Sequence, residues 1–423
     1  KILIKIKMKK TIFTLSAILG LAFTGCMNDE APPILQDTDN PVNPADNIVS
    51  VSGMISESTT WTSNNIYVLN QKVVVSSGVV LTIQAGTIIK GTEGNGSLAS
   101  ALIVAQGGKL NASGTATEPI IFTSINDNIE VGQTAGTNLD ETNSGLWGGL
   151  IVLGNAPCSF SGDVQVVQIE GIPADDTFGL YGGGDATDNS GVYQYISIRH
   201  GGALIGEGNE INGLTLGGVG SGTLIDNIEV VANVDDGIEF FGGTVNASNL
   251  LVWSQGDDAI DIDQAYSGVI DNAVVVLGVN SDHAFEIDGP EGSATGSFTL
   301  RNATIVGNSV TENGEYADYR SGAMGTTENI YAYGFKDSSD VELDNDGVAT
   351  NYNDGLLIFG EWEIVLPDGV SEVADLFVNK AASVEVSGFG STANAVAQGE
   401  GTVGATTSLL SWTYANTKAG LDF

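Results

Sequence analysis

The sequence predicts an all-β solenoid, a right-handed parallel β-helix with coils of about 22 residues and a C-terminal capping region. Short apolar runs recur behind an asparagine at intervals of 22 to 30 residues, at Asn227, Asn249, Asn272, Asn302 and Asn329. A second apolar run repeats in phase with the first, and the repeats show no helical apolar period. A short fixed period with two or three strands per turn is typical of solenoids.

Residues 1–25 are predicted to be a signal peptide. A basic region at residues 8–10 precedes an apolar stretch of about fifteen residues, which is too short to span a bilayer. The stretch ends in Leu21-Ala22-Phe23-Thr24-Gly25-Cys26, which resembles the lipobox of bacterial lipoproteins. That resemblance implies that the Cys26 thiol carries a diacylglycerol and anchors the mature chain in the outer membrane.

Residues 26–48 are predicted to be a flexible tether, because prolines, asparagines and aspartates dominate this segment. Asp29 and Glu30 lie three and four residues after the cysteine and resemble the surface-export signal of Bacteroidetes lipoproteins. The resemblance implies display at the cell surface, with the lipid as the contact to the membrane.

The composition favours a large folded body and excludes nucleic acid as a partner. The 423 residues include 52 acidic and 14 basic residues, for a formal net charge of −38, and 42% are hydrophobic. Five of the basic residues precede Cys26, so the folded part is more acidic still. The negative electrostatic potential of such a chain repels the phosphate backbone of a nucleic acid.

Residues 49–340 are predicted to form the β-helix. Parallel strands of successive coils lie about 4.8 Å apart, so equivalent residues stack on one another. The recurring asparagines should form a ladder at one bend of the coil. Alternate residues of the second run should line the interior, namely Ile238, Phe240, Ile260, Ile262, Phe285 and Ile287.

Residues 341–423 are predicted to hold terminal coils and a cap. The repeat is lost after about residue 340, and Trp362, Trp412 and Tyr414 supply large apolar side chains there. Solenoids need such a cap to close the open end of the last coil.

Several segments resemble β-helical surface lipoproteins of Bacteroidetes, within the pectin-lyase-like superfamily. They lie at residues 79–87, 112–124, 146–156 and 188–196. The resemblance implies the β-helix fold and a lipid anchor, and it implies little about activity.

The candidate functional residues are acidic residues that recur at equivalent positions of successive coils and therefore stack in columns. One column holds Asp235, Asp257 and Asp282, and the next holds Asp236, Asp258 and His283. Outward-facing acids follow on the same strands: Glu239, Asp261, Asp263, Glu286 and Asp288. No lysine or arginine occurs between residues 200 and 300. Stacked carboxylates must be relieved by water, raised pKa values or bound cations.

Three interpretations of these columns stay open. Aspartates at the coil corner can accept hydrogen bonds from backbone amides while the outward acids form a solvated face. Alternatively, Glu239, Asp261, Asp263, Glu286 and Asp288 are candidate ligands for Ca²⁺, which takes six to eight oxygen ligands.

The third interpretation is a glycosidase. The order of Asp236, Asp257, Asp258, His283 and Arg320 is similar to that of the catalytic residues of polygalacturonases. The resemblance implies that Asp258 is the general acid, that Asp236 and Asp257 activate water, and that His283 tunes them. The chain departs from the family at several positions: Val234 replaces an asparagine, and Asp282 and Ala284 replace glycines. The segment Arg320-Ser321-Gly322 lacks the lysine that would hold a uronate.

The sequence therefore predicts a lipid-anchored surface β-helix for adhesion or for binding glycans or other surface partners, with Ca²⁺ as the candidate cofactor and no catalysis expected. The alternative is an extracellular glycan-degrading hydrolase. A groove walled by long loops would favour the hydrolase, and a shallow solvated face would favour the binding protein.

Overall fold

The computed structural model describes residues 47–173, 176–204, 211–311 and 313–423. The predicted signal peptide, Cys26 and the tether as far as residue 46 lie outside these ranges. None of the described helices is long and apolar enough to cross a membrane.

The first fourteen strands are β1 Ile48–Ile55, β2 Thr59–Trp61, β3 Ile66–Val75, β4 Val80–Ile83, β5 Ile88–Gly91, β6 Ala101–Val104, β7 Lys109–Ser113, β8 Ile120–Ser124, β9 Leu150–Leu153, β10 Val167–Gln168, β11 Leu180–Tyr181, β12 Gly191–Arg199, β13 Leu214–Gly217 and β14 Leu224–Val231. The others are β15 Ile238–Phe241, β16 Asn246–Trp253, β17 Ile260–Asp263, β18 Val269–Val276, β19 His283–Ile287, β20 Phe298–Val306, β21 Glu315–Tyr319, β22 Gly325–Tyr333, β23 Val341–Leu343, β24 Leu357–Phe359, β25 Trp362–Ile364, β26 Phe377–Asn379 and β27 Ala393–Ala395. Two short helices, α1 Asp346–Asn353 and α2 Tyr414–Lys418, lie near the C-terminus. Short 3₁₀ turns occupy Gly96–Leu98, Ser161–Asp163, Val373–Leu376 and Thr407–Leu410.

These strands form a right-handed parallel β-helix, which confirms the predicted fold. The short strands β13, β15, β17, β19, β21 and β23 stack in parallel and in register, and they are called sheet 1 below. The long strands β12, β14, β16, β18, β20 and β22 stack in the same way and supply the other two faces of each coil. The one antiparallel pair among the described strands is the hairpin β10–β11.

Each long strand bends at one residue with left-handed backbone conformation, and this explains the asparagine repeat. The five recurring asparagines have φ between 56° and 66°. Asparagine adopts this conformation more readily than other residues with a β-carbon. The predicted ladder is present in two links, since Asn272 Nδ2 donates to Asn249 Oδ1 (2.7 Å) and Asn329 Nδ2 donates to Asn302 Oδ1 (3.0 Å). Asn249 and Asn302 donate instead to Asp226 and Asp271, one coil earlier.

The interior of the coils is apolar, as the alternation in the sequence predicts. All six predicted core residues of sheet 1, from Ile238 to Ile287, are at most 1% exposed. The last coils continue to β27 and are closed by aromatic rings. Trp362 is fully buried and lies 5.9 Å from Phe377, which in turn contacts Phe389.

Trp412 and Tyr414 do not cap the open end, contrary to the sequence-based expectation. They belong to the C-terminal strap, residues 399–423, which runs back along the outside of the long strands. The Trp412 ring packs against Tyr195, 5.5 Å between centroids, and Tyr414 lies 4.2 Å from the guanidinium of Arg199. Trp412 and Tyr414 lie there because Leu251 and the apolar residues stacked beside it form a stripe on the outside of the long strands. The strap covers this stripe.

Candidate functional site

Sheet 1 carries an in-register column of acids on its outer face. The pairing of strands β15, β17, β19, β21 and β23 aligns Glu239, Asp261, Glu286, Asp318 and Glu342. This set is called the carboxylate column. Its members are 5 to 8% exposed, so they do not form the solvated face that one interpretation of the sequence expected. The sequence did not point to Asp318 and Glu342, because their coils lack the aspartate-rich corner that marks the other repeats.

The corner aspartates hold neighbouring coils together. Asp236 Oδ1 accepts a hydrogen bond from the backbone N–H of Asp258 (2.9 Å). Asp258 Oδ1 accepts one from the backbone N–H of His283 (2.8 Å), and it lies 2.8 Å from the His283 ring Nδ1. The predicted hydrogen bonding of corner aspartates to backbone amides is therefore confirmed, with each amide supplied by the following coil.

The corner aspartates and the first three acids of the carboxylate column, Glu239, Asp261 and Glu286, line one cleft of about 440 Å³. All five residues of the polygalacturonase-like set line it, namely Asp236, Asp257, Asp258, His283 and Arg320. Glu170 reaches it from the excursion between β9 and β12, which contains the β10–β11 hairpin. The acidic face therefore lies in a groove with a loop wall. The sequence did not point to Glu170, because the excursion carries no repeat.

The cleft is strongly negative. Among the described residues, nine carboxylates, one histidine and one arginine line it. Burial lowers the pKa of His283, but the hydrogen bond and the charge of Asp258 outweigh it and raise that pKa to about 9. Burial, followed by the charges of Asp258 and Asp282, raises the pKa of Asp257 to about 6.

Basic side chains neutralise the column at one end. The Arg320 guanidinium contacts Glu286, lies 2.6 Å from Asp288 Oδ2 and lies 3.9 Å from Asp318 Oδ2. In the next coil the Lys380 ammonium contacts Glu342. The acids from β19 to β23 thus have cations supplied by the chain itself.

At the other end of the column, the residues that the structure describes supply no such cation. Carboxylate oxygens of Asp236, Glu239 and Asp261 lie within 4.8 Å of one another, and we call these three residues the acid trio. In the part of the chain that the structure describes, no basic side chain forms an ion pair with any of them. Burial first, and neighbouring carboxylates second, raise the pKa of all three well above the ordinary value. Asp261 Oδ1 is buried and accepts no hydrogen bond. The acid trio must therefore take up protons or a cation.

The structure divides the five predicted Ca²⁺ ligands among three places. Glu239 and Asp261 join Asp236 in the acid trio. Glu286 and Asp288 are held by Arg320. Asp263 lies in a neighbouring pocket with Glu291, where burial raises its pKa to about 7.

The surroundings of the polygalacturonase-like residues suggest different roles for Asp257 and Asp258 from those that the resemblance implies. Asp258, which that resemblance makes the general acid, is 4% exposed and holds both the backbone and the ring of His283. Asp257 is exposed, and a carboxyl with pKa about 6 suits proton transfer near neutral pH.

The comparisons with known proteins place the chain in a family. No curated protein matches it. Among solved structures, a pectin methylesterase from Aspergillus niger is 14% identical, with 84% of this chain and 88% of that chain covered, at a TM-score of 0.31. The family model described as the pectate-lyase-like β-helix domain matches residues 53–417. The chain therefore belongs to the pectate-lyase-like β-helix domain family.

Proposed function

We propose that this protein binds glycans at a cell surface, in the acidic cleft, through a Ca²⁺ ion held by the acid trio. The observation that carries the proposal is the juxtaposition of three buried carboxylates that no basic side chain among the described residues neutralises. Membership of a pectate-lyase-like family supports a carbohydrate as the ligand.

The chemistry of the acid trio fits Ca²⁺. This ion takes six to eight oxygen ligands at 2.3–2.6 Å and accepts carboxylates that bind through one or both oxygens. Asp236, Glu239 and Asp261 each offer one carboxylate oxygen, and these oxygens lie within 4.8 Å of one another. Hydroxyl groups of a bound sugar and water would complete the coordination. Asp235 and Asp257 lie close to Asp236 and add negative charge on the solvent side.

Calorimetric titration of the mature protein with Ca²⁺, followed by a glycan array in Ca²⁺ and in chelator, tests this function. We expect one strong Ca²⁺ site and glycan binding that disappears in chelator. Asp261→Asn should abolish both. Glu342→Gln, at the Lys380 end of the same column, is the matched control and should retain both. Glycan binding that persists in chelator, or no glycan binding at all, would overturn the proposal.

A glycan hydrolase is the second candidate, and the walled cleft favours it. Asp257 is the member of the polygalacturonase-like set whose exposure and pKa fit a proton-transfer role. Incubation with neutral and uronate oligosaccharides, followed by mass spectrometry of new reducing ends, tests this activity. We expect no products. Products that fall by about 10² to 10⁴ in rate in Asp257→Asn or Asp258→Asn would establish the hydrolase instead.

Attachment to the outer membrane through a lipid on Cys26 remains part of the proposal. Its support is the lipobox-like segment at residues 21–26. Metabolic labelling with a clickable fatty acid should mark the wild-type chain and not Cys26→Ala. A Cys26→Ala variant that still labels and still fractionates with membrane would refute the anchor.

A further inference from the structure

The charge of the cleft restricts which glycans can enter it. Among the described residues, nine carboxylates face two basic side chains, and one bound Ca²⁺ offsets only two of the excess negative charges. The guanidinium of Arg320 contacts Glu286 and lies 2.6 Å from Asp288 Oδ2, so it is already engaged within the protein. An acidic sugar in this cleft would meet repulsion from several sides, whereas a positively charged group would be attracted.

Two corner aspartates present this charge toward solvent, and we call Asp257 and Asp282 the corner pair. They occupy equivalent positions of successive coils, and the backbone N–H of Asp282 donates to the backbone carbonyl of Asp257 (2.9 Å). Asp257 is exposed and Asp282 is half-buried. Equivalent residues of adjacent coils lie about 4.8 Å apart, so the two carboxylates repel each other and attract a cation placed between them.

The chain does little to neutralise the corner pair. Among the described residues, none donates a hydrogen bond to the Asp257 carboxylate or forms an ion pair with it. Asp282 Oδ1 lies 4.0 Å from the ring Nε2 of His283, whose Nδ1 is held by Asp258 at 2.8 Å. The corner pair therefore keeps carboxylate oxygens that a ligand in the cleft can reach.

The corner pair lies on the solvent side of the acid trio. A carboxylate oxygen of Asp257 lies within 4.8 Å of one of Asp236, which belongs to the trio. Asp261 Oδ1 lies deeper in the same cleft, where it is buried and accepts no hydrogen bond, and this oxygen belongs to the Ca²⁺ position of the proposed function. A hydroxyl and an amine on neighbouring carbons of one sugar ring are close enough together to reach this Ca²⁺ and Asp257 at the same time.

We propose that the ligand is a glycan with free amino groups, which places an ammonium group on the corner pair and a neighbouring hydroxyl on the Ca²⁺ of the acid trio. The inference rests on the proposed function, and it narrows that function to one class of glycan. Acetylation of the amine removes its positive charge, so an N-acetylated glycan loses the attraction of the corner pair.

Oligosaccharides that differ only in acetylation of the amine test this inference. Tetramers of glucosamine and of galactosamine, and the N-acetylated form of each, are titrated into the mature protein by calorimetry. Saturating Ca²⁺ and a slightly acidic pH keep the acid trio loaded and the free amines protonated. For the sugar that binds, we expect one site and an affinity of the free amine about tenfold or more above that of its N-acetylated form. High salt should reduce this preference, because salt screens the attraction.

Paired substitutions distinguish the cleft from the general negative charge of the protein. Asp257→Asn combined with Asp282→Asn should abolish the preference for the free amine. Asp368→Asn combined with Asp375→Asn is the matched control, because it removes the same charge from exposed residues outside the cleft. This control should retain the full preference. Circular dichroism of both variants checks that they are folded.

Three outcomes would overturn the inference. A free amine that binds no more tightly than its N-acetylated form would exclude the proposed ligand class and leave the proposed function standing. A preference that survives in the corner-pair variant would place the amine elsewhere on the protein. The absence of binding by all the tetramers would also exclude this class, whereas the glycan array in Ca²⁺ and in chelator decides the proposed function separately.

Discussion

Replacing Asp261 by asparagine should stabilise the protein in chelator and remove its stabilisation by Ca²⁺. Oxygens of Asp236, Glu239 and Asp261 lie within 4.8 Å of one another. At that distance two carboxylates repel by about 3.5 kcal/mol at an effective dielectric near 20. A proton shared in the acid trio relieves part of this cost. We therefore expect Asp261→Asn to raise the free energy of unfolding by about 1 to 3 kcal/mol in chelator.

The effect of Ca²⁺ should be lost in the same variant. At a hundredfold excess over its dissociation constant, an ion that binds only the folded state stabilises it by about 2.7 kcal/mol. Urea unfolding at pH 7.5, in chelator and in Ca²⁺, measures both quantities. Glu342→Gln is the control, because it removes a carboxylate that Lys380 neutralises. It should lower stability by about 1 kcal/mol in both buffers. An Asp261→Asn protein that is less stable than wild type in chelator, or that keeps the full response to Ca²⁺, would refute this account of the acid trio.

Three further predictions concern the rest of the fold. The pKa of His283 in the folded protein is about 9, above the ordinary value of 6.5. Its interaction with Asp258 therefore stabilises the fold fully below pH 6.5, and this stabilisation is lost as the pH rises through 9. In His283→Gln, the midpoint of urea unfolding should depend less on pH across that range. Tyr414→Ala should lower the free energy of unfolding by about 3 kcal/mol, because it removes a ring packed on Trp253, whereas Tyr414→Phe should stay within about 1 kcal/mol in the same thermal melts. Asn249→Ala should cost about 2 kcal/mol by urea unfolding, from the left-handed backbone and the lost ladder, and Asn249→Gly about half of that. Equal losses in the two Asn249 variants would remove the backbone part of that argument.

The repeat made the β-helix predictable from the sequence. A polar residue that recurs at one phase requires a bend at that phase, and Asn249 and Asn272 lie at such bends. In the same way, Asp236 and Asp258 recur because each secures the next coil by a backbone hydrogen bond. Equivalent residues recur at a spacing of one coil. That spacing therefore predicts the register of the strands and the clustering of the acidic residues.

Features outside the repeat were not predictable in this way. Glu170 reaches the cleft from an excursion without periodicity, and nothing in its local sequence indicates that placement. The burial of Glu239 and Asp261 depends on what covers sheet 1, and a single strand carries no information about that. The link between Ala415 and Glu229 joins residues 186 positions apart. Contacts of this kind depend on the completed shape of the solenoid.

The C-terminal strap changes how the coils depend on one another. Its backbone amides donate to Glu363, Thr304, Asn272 and Glu229, which belong to successively earlier coils. A plain solenoid behaves as a one-dimensional chain of units, each coupled to its neighbours alone, and its terminal units fray independently. The strap is hydrogen-bonded to coils that are not neighbours, so it couples these coils to one another. The last coil therefore cannot fray until the strap has detached along its length. Full resistance to unravelling under load or protease therefore arises only when the strap is docked along its length, and it does not accumulate coil by coil.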